Sequence, residues 1–177
     1  MTPGWIDFDP IAVAVLFLVT VQRLAELAYA RFNEVRLRRA GGVEHGASHY
    51  PLIVALHAAW LAGLWLTATG TRPDYGWLTA FLLLQGIRGW VLLTLGSRWT
   101  TRVIVLPNKP PIRSGPYRFL SHPNYAVVAA EIFVLPMAFG LVAYALLFSI
   151  LNAAVLAVRI HMENAALRVS YADIGIK

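Results

Sequence analysis

Long apolar runs are the feature that most constrains the fold of this chain of 177 residues. A helix that crosses the hydrocarbon core of a bilayer needs roughly 20 predominantly apolar residues. Three runs reach that length, and two shorter ones follow near the C-terminal end. The five runs are Pro10–Tyr29, Tyr50–Thr69, Tyr75–Leu95, Tyr125–Phe139 and Leu141–Val158. Because backbone polar groups must be satisfied internally within lipid, we expect an all-α polytopic membrane protein with about five transmembrane helices.

The last two runs are separated by Gly140 alone, and they allow a tight helical hairpin or two tilted helices. Pro136 is expected to end or kink the fourth helix. The sequence contains no evident internal repeat, low-complexity tract or long linker. Residues 1–177 are therefore expected to form a single domain.

The distribution of basic residues predicts an orientation. All of them except Arg23, Arg72 and Arg88 lie in three segments, namely 31–49, 97–122 and 159–177. Cytoplasmic loops of membrane proteins carry an excess of Lys and Arg, so we expect these segments in the cytoplasm and the N-terminus outside. A four-span arrangement would place 97–122 and the tail on opposite sides of the membrane, which fits less well. Segment 97–122 is proline-rich and should be extended and folded against the cytoplasmic face of the bundle.

Composition excludes several classes of function. The net charge is +6, but the basic residues lie at the ends of apolar runs, which favours membrane lipids over nucleic acid as partners. The sequence has no cysteine, which excludes disulfides and thiolate zinc sites, and no His/Glu cluster has metal-ligand spacing. Asp7 and Asp9 precede the first run, whereas a signal peptide begins with positive charge. We therefore expect an integral membrane protein whose N-terminus is not a signal peptide.

A polar segment between apolar runs, Ser114–Tyr125, has the sequence SGPYRFLSHPNY. Ser-Gly-Pro indicates a turn, and Pro123 suits the first position of the fourth helix. Backbone N–H groups at a helix start are free to bind a ligand. The alternative is a loop that only caps the helix at the membrane surface, with Tyr117 and Tyr125 as interfacial aromatic residues.

A second group of polar residues lies at the cytoplasmic end of the fifth run. Arg159 and Glu163 are four residues apart, so they share one face of a helix, whereas His161 points to another face. The simplest interpretation is a surface ion pair with a structural role. A role in chemistry stays open at this point.

Charged residues inside the apolar runs form a third group, namely Arg23, Glu26, Arg88 and Glu131. Each is unfavourable in lipid and should face the interior of the bundle or a partner. Glu131 is expected to pair with Arg23 or Arg88, or to line a cavity. His57 in the second run is expected to be a hydrogen-bonded core residue.

Two of these motifs resemble a known family. GPYRFLSHPNY at 115–125 is similar to the GPYRxxRHPxY signature of the isoprenylcysteine carboxyl methyltransferase and phospholipid methyltransferase superfamily. RIHMEN at 159–164 resembles its RxxxEE ending, and together the resemblance covers about Val103–Leu167. Asn33-Glu34 and His49–Pro51 resemble a small bacterial branch that often accompanies type III polyketide synthases.

The resemblance implies a cofactor and a set of site residues. The family uses S-adenosylmethionine, held without a Rossmann fold between the cytoplasmic loop, the helical hairpin and a short C-terminal helix. The residues that would bind it are Gly115, Tyr117, Arg118, His122, Pro123, Tyr125 and Asn164, while Arg159 and Glu163 would act at the methyl-transfer point. A lipophilic acceptor would enter sideways from the membrane. The sequence departs from the family pattern at Ser121, at Ala126-Val127 and at Asn164.

These residues suggest a reaction. Methyl transfer from a sulfonium needs alignment, and an arginine favours an acidic acceptor oxygen because it stabilises negative charge there. We therefore expect O-methylation of an alkylpyrone, a phenolic lipid or a prenylcysteine-like carboxylate in preference to N-methylation. The alternative is a small non-enzymatic membrane protein, a transporter or a scaffold, to which Arg88 and Glu131 would contribute intramembrane charge.

Overall fold

Five α-helices follow one another in alternating directions in a computed structural model of the chain, which describes residues 8–107 and 109–172. The helices are α1 (Pro10–Arg39), α2 (Tyr50–Thr67), α3 (Tyr75–Leu95), α4 (Pro123–Ala138) and α5 (Val142–Ala172). The expected all-α architecture is confirmed. The C-terminal hairpin is also present, because α4 and α5 are joined by a short turn in which Gly140 has φ +70°.

Four helices are long and apolar enough to cross a membrane: α1, α3, α5, and α2 with the 3₁₀ turn Ala47–His49 before it. This confirms a polytopic membrane protein. The remaining helix, α4, has 16 residues, which corresponds to about 24 Å. Pro136 lies in its last turn, and the helix ends two residues later.

Two aspartates begin helices at one end of the bundle. The Asp9 carboxylate accepts hydrogen bonds from the first turn of α1, and the Asp74 carboxylate accepts one from Trp77 N in α3. Their own N–H groups donate to Thr69 O at 2.8 Å and to Ala138 O at 2.7 Å. The start of α1, the α2–α3 turn and the end of α4 therefore meet at this end, and the polar loop lies at the other.

Two helices are longer than the apolar runs. α1 continues ten residues beyond Tyr29, where its last turn carries Arg36, Arg38 and Arg39. Cations at a helix C-terminus interact favourably with the helix dipole. α5 continues without a break from the membrane span to Ala172, so the short C-terminal helix is not a separate element. No Gly or Pro follows Val158 within this helix, which explains its continuity.

A small antiparallel ribbon lies at the polar end of the bundle. Strand β1 (Val43–His45) pairs with strand β2 (Val103–Val105), with Glu44 opposite Ile104. The ribbon ties the α1–α2 loop to segment 97–122, which otherwise forms 3₁₀ turns at Gly96–Arg98 and Gly115–Arg118 in its described part. Gly46 has φ +67°, and a Cβ there would lie 2.8 Å from Cε of Met162, so the loop packs closely on α5.

The apolar core centres on Trp60 of α2, which is 1% exposed. Its Nε1 donates to Ile132 O of α4 at 3.3 Å, and its carbonyl accepts from the Tyr144 hydroxyl of α5 at 2.7 Å. Gly63 allows Tyr144 to approach, because a Cβ there would overlap the tyrosine hydroxyl. These contacts hold α2 against the α4–α5 hairpin and so position the start of α4.

Candidate methyl-transfer site

Tyr125, in the first turn of α4, links two residues of α5. Its hydroxyl donates a short hydrogen bond to Oε2 of Glu163 and accepts one from Nε of Arg159 at 2.7 Å. Nη2 of Arg159 donates to Thr101 O at 2.7 Å. Arg159 and Glu163 thus both contact Tyr125, and its hydroxyl connects them, whereas a direct ion pair was the simplest interpretation from the sequence. The arrangement fixes the guanidinium between α4 and segment 97–122.

His122, which precedes α4, lies against the same tyrosine. The two rings stack with centroids 5.3 Å apart. Nε2 of His122 lies 3.1 Å from Oδ1 of Asn164, and Nδ1 lies 3.8 Å from Oε1 of Glu163. Because an amide oxygen only accepts, Nε2 carries a proton in this contact. Asn164, which replaces the second Glu of the family pattern, therefore sets the orientation of His122.

A polar cavity of about 190 Å³ opens beside these residues. Its walls come from β2, the loop before it, the start of α4 and the C-terminal half of α5. Five of the residues that the sequence predicts for the cofactor or transfer site line it: Tyr117, His122, Tyr125, Arg159 and Glu163. Burial raises the pKa of the Tyr117 hydroxyl, and the nearby Glu163 carboxylate adds to the rise, so Tyr117 is neutral at physiological pH.

The other four predicted cofactor residues do not line this cavity. Gly115 has φ +56°, and a Cβ there would lie 2.5 Å from Oγ1 of Thr94, so the turn packs on α3. Pro123 is buried at the first position of α4. Asn164 supports His122, and Arg118 is exposed next to the ring of Phe119. These residues shape the surroundings of the cavity without forming its wall.

Sequence reasoning missed much of the cavity wall. Trp99, Thr100 and Arg102 line it from the segment before β2. The guanidinium of Arg102 lies 3.9 Å from the ring centroid of Tyr50 and donates to Glu44 Oε1 at 2.5 Å. Burial tends to raise the pKa of Glu44, but hydrogen bonds from Arg102 and Arg38 outweigh it and hold the pKa below its usual range. The basic character of segment 97–122 was the one sequence signal near these lining residues, and it was used only to infer the orientation of the protein in the membrane.

A second cavity of about 310 Å³ lies deeper in the bundle and is largely apolar. Its apolar wall comes from α1, α2, α4 and α5 and includes Leu24, Leu27, Ile53, Val54, Ala58, Leu61, Val128 and Leu156. Leu24, Leu27 and Val54 are also exposed on the outer surface of the bundle. The cavity therefore opens sideways between α1 and α2, towards the surface that faces lipid.

The two cavities share part of their lining. Trp99, Thr100, Asn124, Tyr125 and Arg159 line both. We call these five residues the seam. Within the described part of the chain, Nε1 of Trp99 and Oδ1 of Asn124 are buried without a hydrogen-bond partner. Such buried polar atoms are rare and suggest a missing partner, such as a bound molecule.

The sequence model of the isoprenylcysteine carboxyl methyltransferase family matches residues 77–169. This range includes all five residues of the seam. This chain belongs to that family. It is therefore a membrane methyltransferase in general terms. The chain is also similar to the uncharacterised protein YpbQ of Bacillus subtilis (strain 168), with 38% identity over 156 residues, 85% of this chain and 93% of the other. No solved structure matches it.

Arg88 and Glu131, the predicted intramembrane charges, belong to a buried cluster in this methyltransferase. Nη1 of Arg88 donates to Oε2 of Glu131 at 2.7 Å, and Nε and Nη2 donate to both oxygens of Glu26 at 2.5 and 2.6 Å. Arg23 bridges the same two carboxylates at 2.8 and 3.1 Å, and Gln85 donates to Glu131 at 2.9 Å. Two arginines and two glutamates balance their charge, which is how ionisable groups are tolerated inside a membrane protein.

The cluster ties α1, α3 and α4 together beside the apolar cavity. Arg88 and Glu26 line that cavity, whereas Glu131 is 0% exposed and lies behind them. Of the two interpretations from the sequence, pairing is the one that the structure shows: Glu131 pairs with both arginines, and it does not line the cavity itself.

Proposed function

We propose that this protein transfers the methyl group of S-adenosylmethionine to an acidic oxygen of a lipophilic acceptor. The observation that carries the proposal is the meeting of a polar and an apolar cavity at Tyr125 and Arg159. A polar cofactor and an apolar acceptor need separate sites whose reactive ends touch. Family membership supports methyl transfer as the reaction class.

The residues of the polar cavity suit the proposed cofactor. S-adenosylmethionine supplies an electrophilic methyl group on a positively charged sulfur. The Glu163 carboxylate provides negative charge in the cavity, and the aromatic faces of Tyr117 and His122 provide stacking surfaces. The unpartnered Asn124 Oδ1 and Trp99 Nε1 fit a ligand with several polar groups.

Arg159 is the residue proposed to hold the acceptor oxygen. Two of its nitrogens are engaged by Tyr125 and Thr101, and within the described residues Nη1 makes no hydrogen bond. Because Arg159 lines both cavities, this free donor suits an oxygen at the seam. A guanidinium there favours the ionised oxygen, and it is already oriented before the acceptor arrives.

The acceptor is proposed to be a long-chain molecule with an acidic head. The sideways opening between α1 and α2 suits an alkyl chain that stays in the bilayer. Alkylpyrones or phenolic lipids, such as products of a type III polyketide synthase, and a prenylcysteine-like carboxylate fit this description. A neutral amine would gain less from Arg159, so N-methylation is less favoured.

Orientation is part of the proposal. The positive segments 31–49, 97–122 and the tail support a cytoplasmic site and an external N-terminus in a bacterial inner membrane. Four of five helices meet the length and composition of a span, and α4 would complete an alternating arrangement. Cytoplasmic placement also gives the site access to a soluble cofactor.

The alternative of a non-enzymatic transporter or scaffold is not favoured. Its main support was intramembrane charge, yet Arg88 and Glu131 are paired with each other and with Arg23 and Glu26. The charge therefore has a structural explanation within the described residues.

Calorimetric titration of S-adenosylmethionine into the purified protein tests the proposal. We expect saturable binding to the wild type and weaker binding to His122→Ala, since this ring lines the polar cavity and stacks on Tyr125. Arg168→Ala is the matched control, because Arg168 is exposed beyond the site on the same helix.

A second readout follows transfer of a radiolabelled methyl group to meta-pentadecylphenol in detergent. Glu163→Gln should retain the fold but lose most of the transfer, because an amide cannot supply the negative charge. Absence of cofactor binding to the wild type would overturn the proposed function. Equal cofactor affinity in wild type and His122→Ala would remove His122 from the site.

A further inference from the structure

His57 presents one ring nitrogen to the apolar cavity. Its Nδ1 lies 2.8 Å from Ile53 O, one turn earlier in α2. A carbonyl oxygen only accepts, so Nδ1 carries the proton, and Nε2 of the neutral ring carries a lone pair. Because Nδ1 is turned towards the helix backbone, Nε2 lies on the far side of the ring, and the residue lines the cavity.

The surroundings leave this lone pair without a partner. Within the described residues, no hydrogen bond engages Nε2 of His57. Arg23, Glu26 and Arg88, the other polar groups on this side of the cavity, hydrogen-bond to one another or to Glu131 and not to His57, and Nε of Arg23 is a buried donor without a partner among the described residues. An unpaired acceptor among aliphatic side chains is unfavourable, so a ligand that donates a hydrogen bond would gain affinity here.

We propose that His57 is a specificity-determining residue that accepts a hydrogen bond from a hydroxyl group of the lipophilic acceptor. The inference rests on the proposed function and narrows its acceptor class. An acceptor whose one acidic group is ionised at Arg159 offers no donor to Nε2, whereas an acceptor with a further hydroxyl group, such as a resorcinol, does. His57 therefore favours acceptors that carry a second hydroxyl group.

The position of His57 on α2 supports this role. Tyr50, Ile53 and His57 share one helix face along the cavity. Tyr50 lies next to the seam, where its hydroxyl is 3.2 Å from Oγ1 of Thr101. Seven residues correspond to about 10 Å of helix, so His57 lies about two turns deeper than Tyr50. The residue can thus contact a hydroxyl group that lies deeper in the cavity than the acceptor oxygen held at the seam.

Binding of a matched pair of probes tests the inference without methyl transfer. The probes are the resorcinol that carries a pentadecyl chain and its dimethyl ether, titrated into detergent-purified protein in the absence of S-adenosylmethionine. Wild type should bind the resorcinol more tightly than the ether. In His57→Phe, which keeps a ring but removes the lone pair, that ratio should fall about fivefold to tenfold.

Two further variants separate recognition from packing. His57→Gln offers an amide oxygen as acceptor and should retain part of the preference. Ile53→Val changes an apolar residue of the same wall and should alter the affinity for both probes equally. An unchanged ratio in His57→Phe, or a wild type that does not discriminate, would overturn the inference. Failure of cofactor binding would overturn the proposed function alone, because the probe titration does not use the cofactor.

Discussion

Nε of Arg159 lies 2.7 Å from the hydroxyl oxygen of Tyr125, and this contact fixes the guanidinium between α4 and α5. Tyr125 in turn donates to Glu163, so one phenol orients both residues of the predicted pair. Since Nη2 is held by Thr101 O, the direction of the third nitrogen, Nη1, is also determined. Nη1 is thus the one nitrogen of this guanidinium that makes no hydrogen bond within the described residues.

The first prediction concerns Arg159→Lys. A lysine has one nitrogen and cannot bind Tyr125, Thr101 and an acceptor oxygen in a fixed plane. We expect single-turnover methyl transfer to fall about a hundredfold or more, as when an oriented donor is removed from an active site. Affinity for S-adenosylmethionine should change by no more than about threefold, since the charge is kept. Arg168→Lys is the control, and near-native transfer by Arg159→Lys would leave Arg159 a structural role.

The second prediction concerns Gly115→Ala. The residue has φ +56°, and an added Cβ would lie 2.5 Å from Oγ1 of Thr94. We expect the free energy of unfolding to fall by about 1 kcal/mol or more, because alanine is strained at positive φ. Gly86→Ala in α3 is the matched control, since a Cβ there meets nothing within 4 Å. It should be neutral or stabilise by up to about 1 kcal/mol. Equal melting of both variants would contradict the predicted strain.

The third prediction concerns the buried charge cluster. Glu131→Gln removes one of two carboxylates that face Arg23 and Arg88, so positive charge is left uncompensated. We expect the free energy of unfolding to fall by about 3–5 kcal/mol, as is typical when one member of a buried ion pair is removed. The exposed Arg72→Met should change it by less than about 0.5 kcal/mol. Chemical unfolding in detergent measures both.

A paired substitution sharpens this test. In Arg88→Met with Glu131→Met, a positive and a negative charge leave the cluster together, so Arg23 and Glu26 remain as a balanced pair. The double variant should therefore be less destabilised than the sum of its single variants. Strict additivity would mean that Arg88 and Glu131 do not stabilise each other.

Much of the fold was predictable because its signals are local. The apolar runs predicted the positions of the helices, and Pro123 predicted where α4 starts, since proline fits a first helical turn. The extension of α5 to Ala172 could also have been predicted from the sequence, because no helix-breaking residue follows Val158 within the helix. Hydropathy marks the part of a helix that is in lipid and says nothing about where the helix itself ends.

The rest depends on contacts between distant segments. Strands β1 and β2 have three residues each and are far apart in sequence, so no periodic pattern could reveal their pairing. The spacing of Arg159 and Glu163 gave their shared helix face, but the connection through Tyr125 depends on how α4 packs on α5. Arg23 and Arg88 were visible from the sequence as alternative partners of Glu131, yet only packing shows that both arginines contact both Glu26 and Glu131.

The fourth prediction concerns orientation, and it uses the absence of cysteine from the sequence. Arg72 lies in the α2–α3 turn and Ser114 in the loop before α4, at opposite ends of the bundle, and both are exposed. With an external N-terminus, Arg72→Cys should react with a membrane-impermeant thiol reagent in intact cells. In that orientation Ser114→Cys should react only after the cells are opened, because segment 97–122, like most basic loops of membrane proteins, would lie in the cytoplasm. Both variants should label fully in detergent, which controls for local accessibility. Labelling of Ser114→Cys but not Arg72→Cys in intact cells would reverse the orientation and place the polar cavity away from cytoplasmic S-adenosylmethionine.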